Sequence, residues 1–436
     1  MEEKQGLNKT YSVTPVKRPP EVVVTVPGSK SITNRALLLA AFADGESTLR
    51  NALRSDDTSV FLESLNRLGI PATESDSSDF TVDGKGEIPS SGKVELFVGN
   101  AGTACRFLIP ACATSKGFFH FDGTERMRER PLSELLNSLQ KLGAQVFPPG
   151  RQHLPLSLTV SGMEGGSIDI DTSRSSQFLS GLMMVSTRAK SDLRIKRVGG
   201  LVSRPYVDIT FRMMEAFGIP ITRDGYDEFL APAGTRYPGR IYDVEPDAST
   251  ASYFFAAAAL TSGKIKVRNL WRESSIQGDI QFLDVLEQTG CTVRSTDEGT
   301  LVEGPERTRG IDVDMKDISD TFMTLAALAP FALGPTTIRG ISHTRGQESD
   351  RVEAMATELK RLGAVVSTET DSITIKPSRL KGCEVSTYDD HRIAMALSLV
   401  GLKVPGVVIT GADCVRKTAP EYFDLFKLIE KAGQND

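Results

Sequence analysis

An amphipathic helix that ends in a glycine and leads into a short strand recurs six times along this chain of 436 residues. The helix-ending glycines lie 70–75 residues apart, and they are Gly69, Gly143, Gly218, Gly290, Gly363 and, in a weaker copy, Gly433. Glycine most readily takes the left-handed conformation with which many helices end. A repeat of this length predicts a fold assembled from copies of one supersecondary unit.

A second pattern has the same period. In each copy a small polar loop runs into an Ala- and Leu-rich helix, and the loops are anchored 70–74 residues apart at Ser31, Thr103, Ser175, Ser249, Ser319 and Asp390. A helix that is apolar all round is buried in its domain. Segments such as VELFV and SITI predict short strands between the helices. A solenoid used only for binding is the alternative, but it does not explain why buried helices begin with Ser, Thr, Asp and basic residues.

The composition argues against several classes of function. The chain has 51 Lys and Arg against 56 Asp and Glu, and its net charge of −5 gives no electrostatic affinity for nucleic acid. No stretch reaches the ~18 uninterrupted apolar residues of a membrane span, and the N-terminal MEEKQGLNKTYSV lacks a signal-peptide core. The 5 cysteines form no C-x-x-C pair, which favours a reducing compartment. We therefore expect a cytoplasmic protein that binds neither membranes nor nucleic acid.

Common cofactor motifs are missing as well. The sequence contains neither the G-x-x-x-x-G-K-[ST] phosphate loop nor a G-x-G-x-x-G after a strand, which disfavours nucleotide kinases and dehydrogenases. The 4 histidines are scattered, without the spacing of metal ligands. We expect neither a metal nor a cofactor.

Cations accompany the loops that precede the buried helices. The N–H groups at a helix N-terminus form an anion site, and a Ser or Asp there is explained by capping alone. Capping does not explain Lys30, Arg35, Arg106, Arg174 and Arg392. A charge-assisted hydrogen bond contributes about 1.5–3 kcal/mol, against about 0.3–1 kcal/mol for the helix dipole. These residues therefore indicate a small ligand with several anionic groups, and they do not decide between carboxylates and phosphates.

The motifs that carry these residues resemble the 5-enolpyruvylshikimate-3-phosphate (EPSP) synthase family. In chain order they are PGSKSITNR (27–35), GNAGTACR (99–106), RMRERP (126–131), SSQF (175–178), SRPY (203–206), ESDR (348–351), DDHR (389–392) and KTAP (417–420). The resemblance implies an α/β fold of two domains, each of three βαβαββ repeats, which is the inverted α/β barrel of the enolpyruvyl transferases. It places one domain at residues 27–245 and the other at residues 1–26 together with 246–436.

The resemblance also implies the reaction. The enolpyruvyl group of phosphoenolpyruvate moves to the 5-hydroxyl of shikimate 3-phosphate, phosphate is released, no cofactor takes part, and glyphosate is an inhibitor. The residues implied for shikimate 3-phosphate are Lys30, Ser31, Arg35, Ser175, Ser176, Gln177, Ser203, Tyr206, Asp320, His343 and Gln347. Those implied for phosphoenolpyruvate are Lys30, Gly102, Arg126, Gln177, Arg351, Arg392 and Lys417. Asp320 would receive the proton of the attacking hydroxyl, and Glu348 with Lys30 would manage the proton at the methylene carbon. The protein is expected to be a monomer.

Three positions depart from the family pattern. Gln347 stands where the family commonly has a Lys, so that a cation expected at shikimate 3-phosphate is missing, and Arg345 is the cation that could replace it. His343 stands where an Asn is common, and Phe107 where many members have a Pro.

Two other functions remain as alternatives. A UDP-N-acetylglucosamine enolpyruvyl transferase would carry a reactive Cys in the loop that here reads DGTERMRERP, and this loop has none. A non-catalytic homologue that only binds polyanions is disfavoured because Lys30, Asp320, Glu348, Arg392 and Lys417 are all present.

Overall fold

The computed structural model describes residues 9–75, 79–89 and 92–434. The α-helices are α1 (Lys30–Ala41), α2 (Asp56–Arg67), α3 (Gly102–Ala113), α4 (Glu125–Glu129), α5 (Ser133–Lys141), α6 (Gln177–Val185), α7 (Arg204–Ala216), α8 (Ala248–Thr261), α9 (Phe282–Thr289), α10 (Phe322–Leu328), α11 (Arg351–Arg361), α12 (His391–Gly401) and α13 (Tyr422–Ala432). Short 3-10 helices cover Ser186–Arg188, Gly278–Gln281, Lys316–Thr321, Ala329–Phe331, Ser342–Gly346 and Ala412–Lys417.

The strands are short, mostly three to seven residues. They are β1 (Thr10–Ser12), β2 (Glu21–Val24), β3 (Asp44–Arg50), β4 (Ala72–Glu74), β5 (Phe80–Lys85), β6 (Lys93–Phe97), β7 (Lys116–Asp122), β8 (Gln145–Phe147), β9 (Leu156–Ser161), β10 (Gly166–Asp171), β11 (Leu193–Val198), β12 (Thr222–Asp224), β13 (Glu228–Ala231), β14 (Ile241–Asp243), β15 (Lys264–Arg268), β16 (Thr292–Thr296), β17 (Gly299–Glu303), β18 (Asp312–Asp314), β19 (Thr336–Arg339), β20 (Val365–Thr368), β21 (Ser372–Lys376), β22 (Glu384–Ser386) and β23 (Val408–Thr410).

The chain forms two compact units. One is Gly28–Glu245, called the 28–245 domain below, and the other combines Met1–Pro27 with Pro246–Asp436 and is called the 246–436 domain. Pro27, expected in the first domain, belongs to the second.

The strands of the 28–245 domain form three sheets, and each sheet belongs to one repeat. The orders are β14-β3-β5-β4, β6-β7-β9-β8 and β10-β11-β13-β12. In each sheet the first two strands are parallel and the last two form an antiparallel hairpin. In the second and third sheets a buried helix, α3 or α6, crosses over between the two parallel strands. The first repeat takes its opening strand, β14, from the end of the domain's chain. The predicted βαβαββ unit is confirmed.

The 246–436 domain follows the same plan with strands from the N-terminal segment. Its sheets are β2-β15-β17-β16, β18-β19-β21-β20 and β1-β23-β22. Strand β2 opens the fourth repeat parallel to β15, and β1 completes the sixth repeat antiparallel to β23. Glycines let this segment approach closely, because a Cβ at Gly401 would lie 2.4 Å from Val13 and one at Gly433 would lie 2.4 Å from Val16.

The helix-ending glycines behave as predicted in five of the six repeats. Gly69, Gly143, Gly218, Gly290 and Gly363 have φ between 82° and 104°. The prediction was wrong for Gly433, whose φ is −77°. That residue is a glycine because Val16 leaves no room for a side chain, not because the helix needs a left-handed end.

The buried helices form the core of each domain. Every residue of α3 and of α8 is buried, and α10 and α12 are buried throughout as well. The outer helices α2, α5, α7, α9, α11 and α13 bury one face only. Within the described ranges, no helix is both long and apolar enough to cross a membrane.

Candidate functional site

In the 28–245 domain, one glutamine joins the starts of two buried helices. Gln177, the first residue of α6, donates from Nε2 to Thr103 Oγ1 on α3 at 3.2 Å. Arg106, also on α3, donates back to Gln177 Oε1 at 2.7 Å. Ser176 bonds the carbonyl of Ser203 at 3.5 Å, which brings the start of α7 to the same place. The predicted residues Ser175 to Gln177, Ser203 and the Gly102 region are therefore neighbours.

Arg35 lies beneath these helix starts and has only 1% of its surface exposed. It donates to Thr210 Oγ1 at 2.7 Å and to the carbonyls of Ser31 at 2.9 Å and Tyr206 at 3.0 Å. Its guanidinium also faces the ring of Phe107, 5.2 Å from the centroid. Burial lowers the pKa of Arg35 to about 10, which still leaves it charged at neutral pH. Its donors are directed at the protein, and it fixes the backbone of two other predicted residues, Ser31 and Tyr206.

Lys30 begins α1 and is nearly buried. Its Nζ lies 3.6 Å from Asp57 Oδ2 in the first turn of α2. This ion pair ties the start of α1 to the first turn of α2.

Gly102 and Arg130 are in direct contact. A Cβ built on Gly102 would lie 2.5 Å from Arg130 Nη1 and 2.6 Å from its Cζ, so only glycine leaves room for the guanidinium there. Arg130 is 5% exposed. Arg126, the arginine that the sequence suggested, lies on α4 with its side chain 36% exposed and paired with Glu129 at 2.7 Å. Arg130 thus lies beside the predicted Gly102 position, which the sequence did not indicate, and the role of Arg126 stays a prediction.

In the 246–436 domain, Arg351 is the centre of a cluster of acids. Its Nε donates to Asp390 Oδ2 at 2.9 Å, its Nη1 to Asp320 Oδ1 at 3.0 Å and its Nη2 to Glu348 Oε2 at 2.9 Å. Burial opposes the charge on Arg351, but Asp390, Glu348 and Asp320 outweigh burial and raise its pKa above the usual value. All the predicted acids of this domain are therefore held by one buried guanidinium.

Each predicted catalytic acid also has a second cation. Arg392 Nη2 donates to Asp320 Oδ2 at 2.6 Å, and Lys417 Nζ lies 3.3 Å from Glu348 Oε1. Asp320 and Glu348 stay slightly open, with 18% and 9% of their side chains exposed. Two separate carboxylates, each between two cations, are available for proton transfer.

His343 and Gln347 lie at the edge of this cluster. His343 Nε2 is 2.8 Å from the hydroxyl of Ser319, the residue before Asp320, and burial lowers its pKa below the usual value. Gln347 Oε1 accepts a hydrogen bond from Arg351. Arg345 does not supply the missing cation, because it bonds Asp350 at 3.1 Å and the carbonyl of Glu369 at 2.8 Å.

Two acids of this cluster were not predicted from the sequence, namely Asp390 as a partner of Arg351, and Asp279. Asp279 lies in the 3-10 helix that packs against the one bearing Asp320, and it accepts a hydrogen bond from Ser249 at the start of α8. Burial and the charge of Asp320 raise its pKa to about 7. Its sequence context, QGDI in a loop, gives no sign of this burial. Across the residues that are described, His, Cys, Asp and Glu form no group of three or more that could hold a metal ion.

Comparisons with known proteins agree over nearly the whole chain. The family model described as EPSP synthase (3-phosphoshikimate 1-carboxyvinyltransferase) matches residues 17–426. The 3-phosphoshikimate 1-carboxyvinyltransferase of Nostoc punctiforme is 44% identical over 426 residues, which cover 97% of this chain and 100% of the relative. That of Vibrio vulnificus is 44% identical over 92% of this chain and 94% of its own. The EPSP synthase of Acinetobacter baumannii is similar in structure, with a TM-score of 0.79, 25% identity and coverage of 96% of this chain and 98% of its own.

Proposed function

The chain belongs to the EPSP synthase (3-phosphoshikimate 1-carboxyvinyltransferase) family, and on that premise we propose which of its residues carry out the reaction. The enzyme transfers the enolpyruvyl group of phosphoenolpyruvate to the 5-hydroxyl of shikimate 3-phosphate and releases phosphate, a step of the shikimate pathway. The transfer proceeds by addition and then elimination, which requires a base for the hydroxyl and an acid for the methylene carbon.

Asp320 is the proposed base, and Glu348 with Lys30 is the proposed acid. The observation that carries this assignment is the paired environment of the two carboxylates, each held between Arg351 and a second cation, Arg392 or Lys417. When an anionic substrate competes for those cations, each carboxylate is released from part of its ion pairing and can exchange a proton with the substrate.

Arg351, Arg392 and Lys417 are the proposed phosphoenolpyruvate ligands of the 246–436 domain. In the 28–245 domain we propose the same role for Lys30, Gly102, Arg126 and Gln177. Arg130 is added to this set because its guanidinium lies at Gly102. Arginine forks suit the carboxylate and the phosphate of this substrate alike.

Shikimate 3-phosphate is proposed to bind at the helix starts of the 28–245 domain, with His343 and Gln347 as further contacts. The proposed ligands there are Lys30, Ser31, Ser175, Ser176, Gln177, Ser203 and Tyr206. Hydroxyls and free backbone N–H groups at helix starts accommodate a phosphate. Arg35 supports them from below through the carbonyls of Ser31 and Tyr206.

The enzyme is further proposed to act as a monomer in the cytoplasm, on two small anionic substrates. The described cysteines are all free thiols, and burial raises the pKa of Cys105 to about 12, which keeps that thiol protonated and unreactive. Free buried thiols fit a reducing compartment.

Phosphate release from phosphoenolpyruvate tests the assignment. Turnover with shikimate 3-phosphate and none with UDP-N-acetylglucosamine is expected, and the opposite result, or no turnover with either, would contradict it.

Asp320→Ala should lose roughly 10²–10⁴-fold in kcat because the base is gone, while shikimate 3-phosphate still binds in calorimetry. Asp314→Ala removes a neighbouring exposed carboxylate and serves as the control. Near-wild-type turnover of Asp320→Ala would remove Asp320 from the mechanism.

A further inference from the structure

The chain makes an unusual turn just before α12. Asp390 N–H donates to the carbonyl of Thr387 at 2.9 Å, which closes a β-turn. The two central residues, Tyr388 and Asp389, have φ of 54° and 52°. Two consecutive positive φ angles are the pattern of a type I′ turn, which strongly prefers Asn-Gly at these positions. Tyr388 has a Cβ that disfavours this conformation, so the surrounding structure must hold the turn.

Glu358 on α11 provides that hold. Its side chain is buried, and Oε1 accepts from the Tyr388 hydroxyl at 2.7 Å. Its Oε2 accepts from the backbone N–H of Ser386 at 3.1 Å and from Arg361 at 2.6 Å. The Glu358 carboxylate therefore forms hydrogen bonds both to the residue before the turn and to a residue inside it. Partial burial and the bond to Glu358 raise the pKa of Tyr388 to about 12, so that its hydroxyl keeps its proton at neutral pH.

The turn determines where two residues of the acid cluster point. Asp390, its last residue, accepts from Arg392 N–H at 3.0 Å and thereby caps α12. The same carboxylate accepts from Arg351 Nε at 2.9 Å. Arg392 in turn reaches Asp320 at 2.6 Å. A shift of the turn would move Arg392 and Asp390 together.

We propose that Tyr388 and Glu358 are positioning residues, which hold the 387–390 turn in its left-handed form and so fix Arg392 relative to Arg351. Helix α11 carries Arg351 in its first turn and Glu358 about two turns later, roughly 10 Å along its axis. Helix α11 thus carries Arg351 itself, and through Glu358 and Tyr388 it also positions Arg392. The inference rests on the proposed function in taking Arg392 as a ligand of phosphoenolpyruvate.

Tyr388→Phe removes the bond to Glu358 and keeps the ring. The expected result is a KM for phosphoenolpyruvate raised about 3- to 10-fold, the scale of one hydrogen bond, with the KM for shikimate 3-phosphate unchanged. Tyr11→Phe is the matched control, because Tyr11 donates to Glu430 at the same 2.7 Å in the same domain, outside the acid cluster. This control should leave both KM values unchanged.

A second change separates positioning from general stability. Glycine is the preferred second central residue of a type I′ turn and adopts φ near +52° without steric cost, so Asp389→Gly should lower the strain of the turn and let it form without its tether. The double variant Tyr388→Phe/Asp389→Gly should therefore return the KM for phosphoenolpyruvate to within about 2-fold of Asp389→Gly alone. A KM that is unchanged in folded Tyr388→Phe, or that the glycine fails to restore, would overturn the inference. Arg392→Lys tests the premise by itself: an unchanged KM for phosphoenolpyruvate there would count against the ligand assignment and not against the tether.

Discussion

Alanine at position 102 tests the Arg130 assignment most directly. The added Cβ would lie 2.5 Å from Arg130 Nη1 and 2.7 Å from Nη2, whereas an unstrained contact between such atoms needs about 3.5 Å. The guanidinium must therefore retreat by about 1 Å. The helix itself should not suffer, because α3 begins at residue 102 and alanine is a better helix former than glycine.

The expected loss of affinity for phosphoenolpyruvate follows from the displaced hydrogen bond of the Arg130 guanidinium. A hydrogen bond to a charged group contributes about 1.5–3 kcal/mol, and each 1.4 kcal/mol is a factor of ten. Gly102→Ala should therefore weaken phosphoenolpyruvate roughly 10- to 100-fold, seen as a higher KM in the phosphate-release assay at saturating shikimate 3-phosphate. Glyphosate, expected to compete with phosphoenolpyruvate, should show an inhibition constant raised by a similar factor. Gly92→Ala is the control, since a Cβ there meets no atom within 4 Å.

A double-mutant cycle decides whether the effect runs through Arg130. In an Arg130→Ala background there is no guanidinium to displace, so Gly102→Ala should add less than about 3-fold. The same loss in both backgrounds would mean that the new methyl group meets the substrate directly, and the reasoning through Arg130 would fail. An unchanged KM in Gly102→Ala alone would refute the placement of phosphoenolpyruvate at this helix start.

Two further predictions concern stability. Asp279 has a pKa raised to about 7 in the folded state, against about 3.9 when unfolded. The folded state therefore holds a proton that the unfolded state releases. The contribution of this group to the free energy of unfolding is full below pH 4, falls by about 4 kcal/mol as the pH rises to 7, and is constant above that pH. Asp279→Asn should flatten the fall in melting temperature between pH 4.5 and 7, and an identical pH profile in the two proteins would contradict the buried acid. Gly181→Ala places a Cβ 2.7 Å from the carbonyl oxygen of Arg106 and 3.2 Å from Pro110 Cγ, between α6 and α3. Overpacking of this kind costs about 1–3 kcal/mol, so thermal unfolding should come roughly 2–12 °C earlier, and an unchanged melting temperature would show that the two helices separate freely.

The repeat and its buried helices could be predicted from the sequence because they depend on local chemistry. Five of the six glycines end their helices in the left-handed conformation, as the pattern predicted. Gly433 looks the same in sequence, but its reason is a contact with Val16, more than 400 residues away along the chain. A contact between distant segments leaves no periodic signal. The strands that the N-terminal segment gives to the fourth and sixth repeats depend on such contacts too.

The role of Arg35 shows a second limit of prediction from the sequence. Its position beside a helix start marks it as a cation near an anion site, and that much is local. Whether its donors face a ligand or the protein depends on Thr210, Tyr206 and Ser180, which come from helices 145–175 residues later. Asp279 was missed for the same reason, because only tertiary burial beside Asp320 makes its carboxyl unusual.

A local rule distinguishes one arginine of TERMRERP from the others. Arg130 precedes Pro131, and a residue before proline is pushed out of the helical conformation into an extended one. The structure agrees, since Arg130 has φ −72° and ψ 131°, and α4 ends at Glu129. An arginine inside α4 can pair with an acid one turn along the same helix, as Arg126 does with Glu129. Arg130, outside the helix, instead contacts the Gly102 position at the start of α3. The proline therefore distinguishes Arg130 from the arginines inside α4, and it is the sequence signal for adding Arg130 to the predicted site.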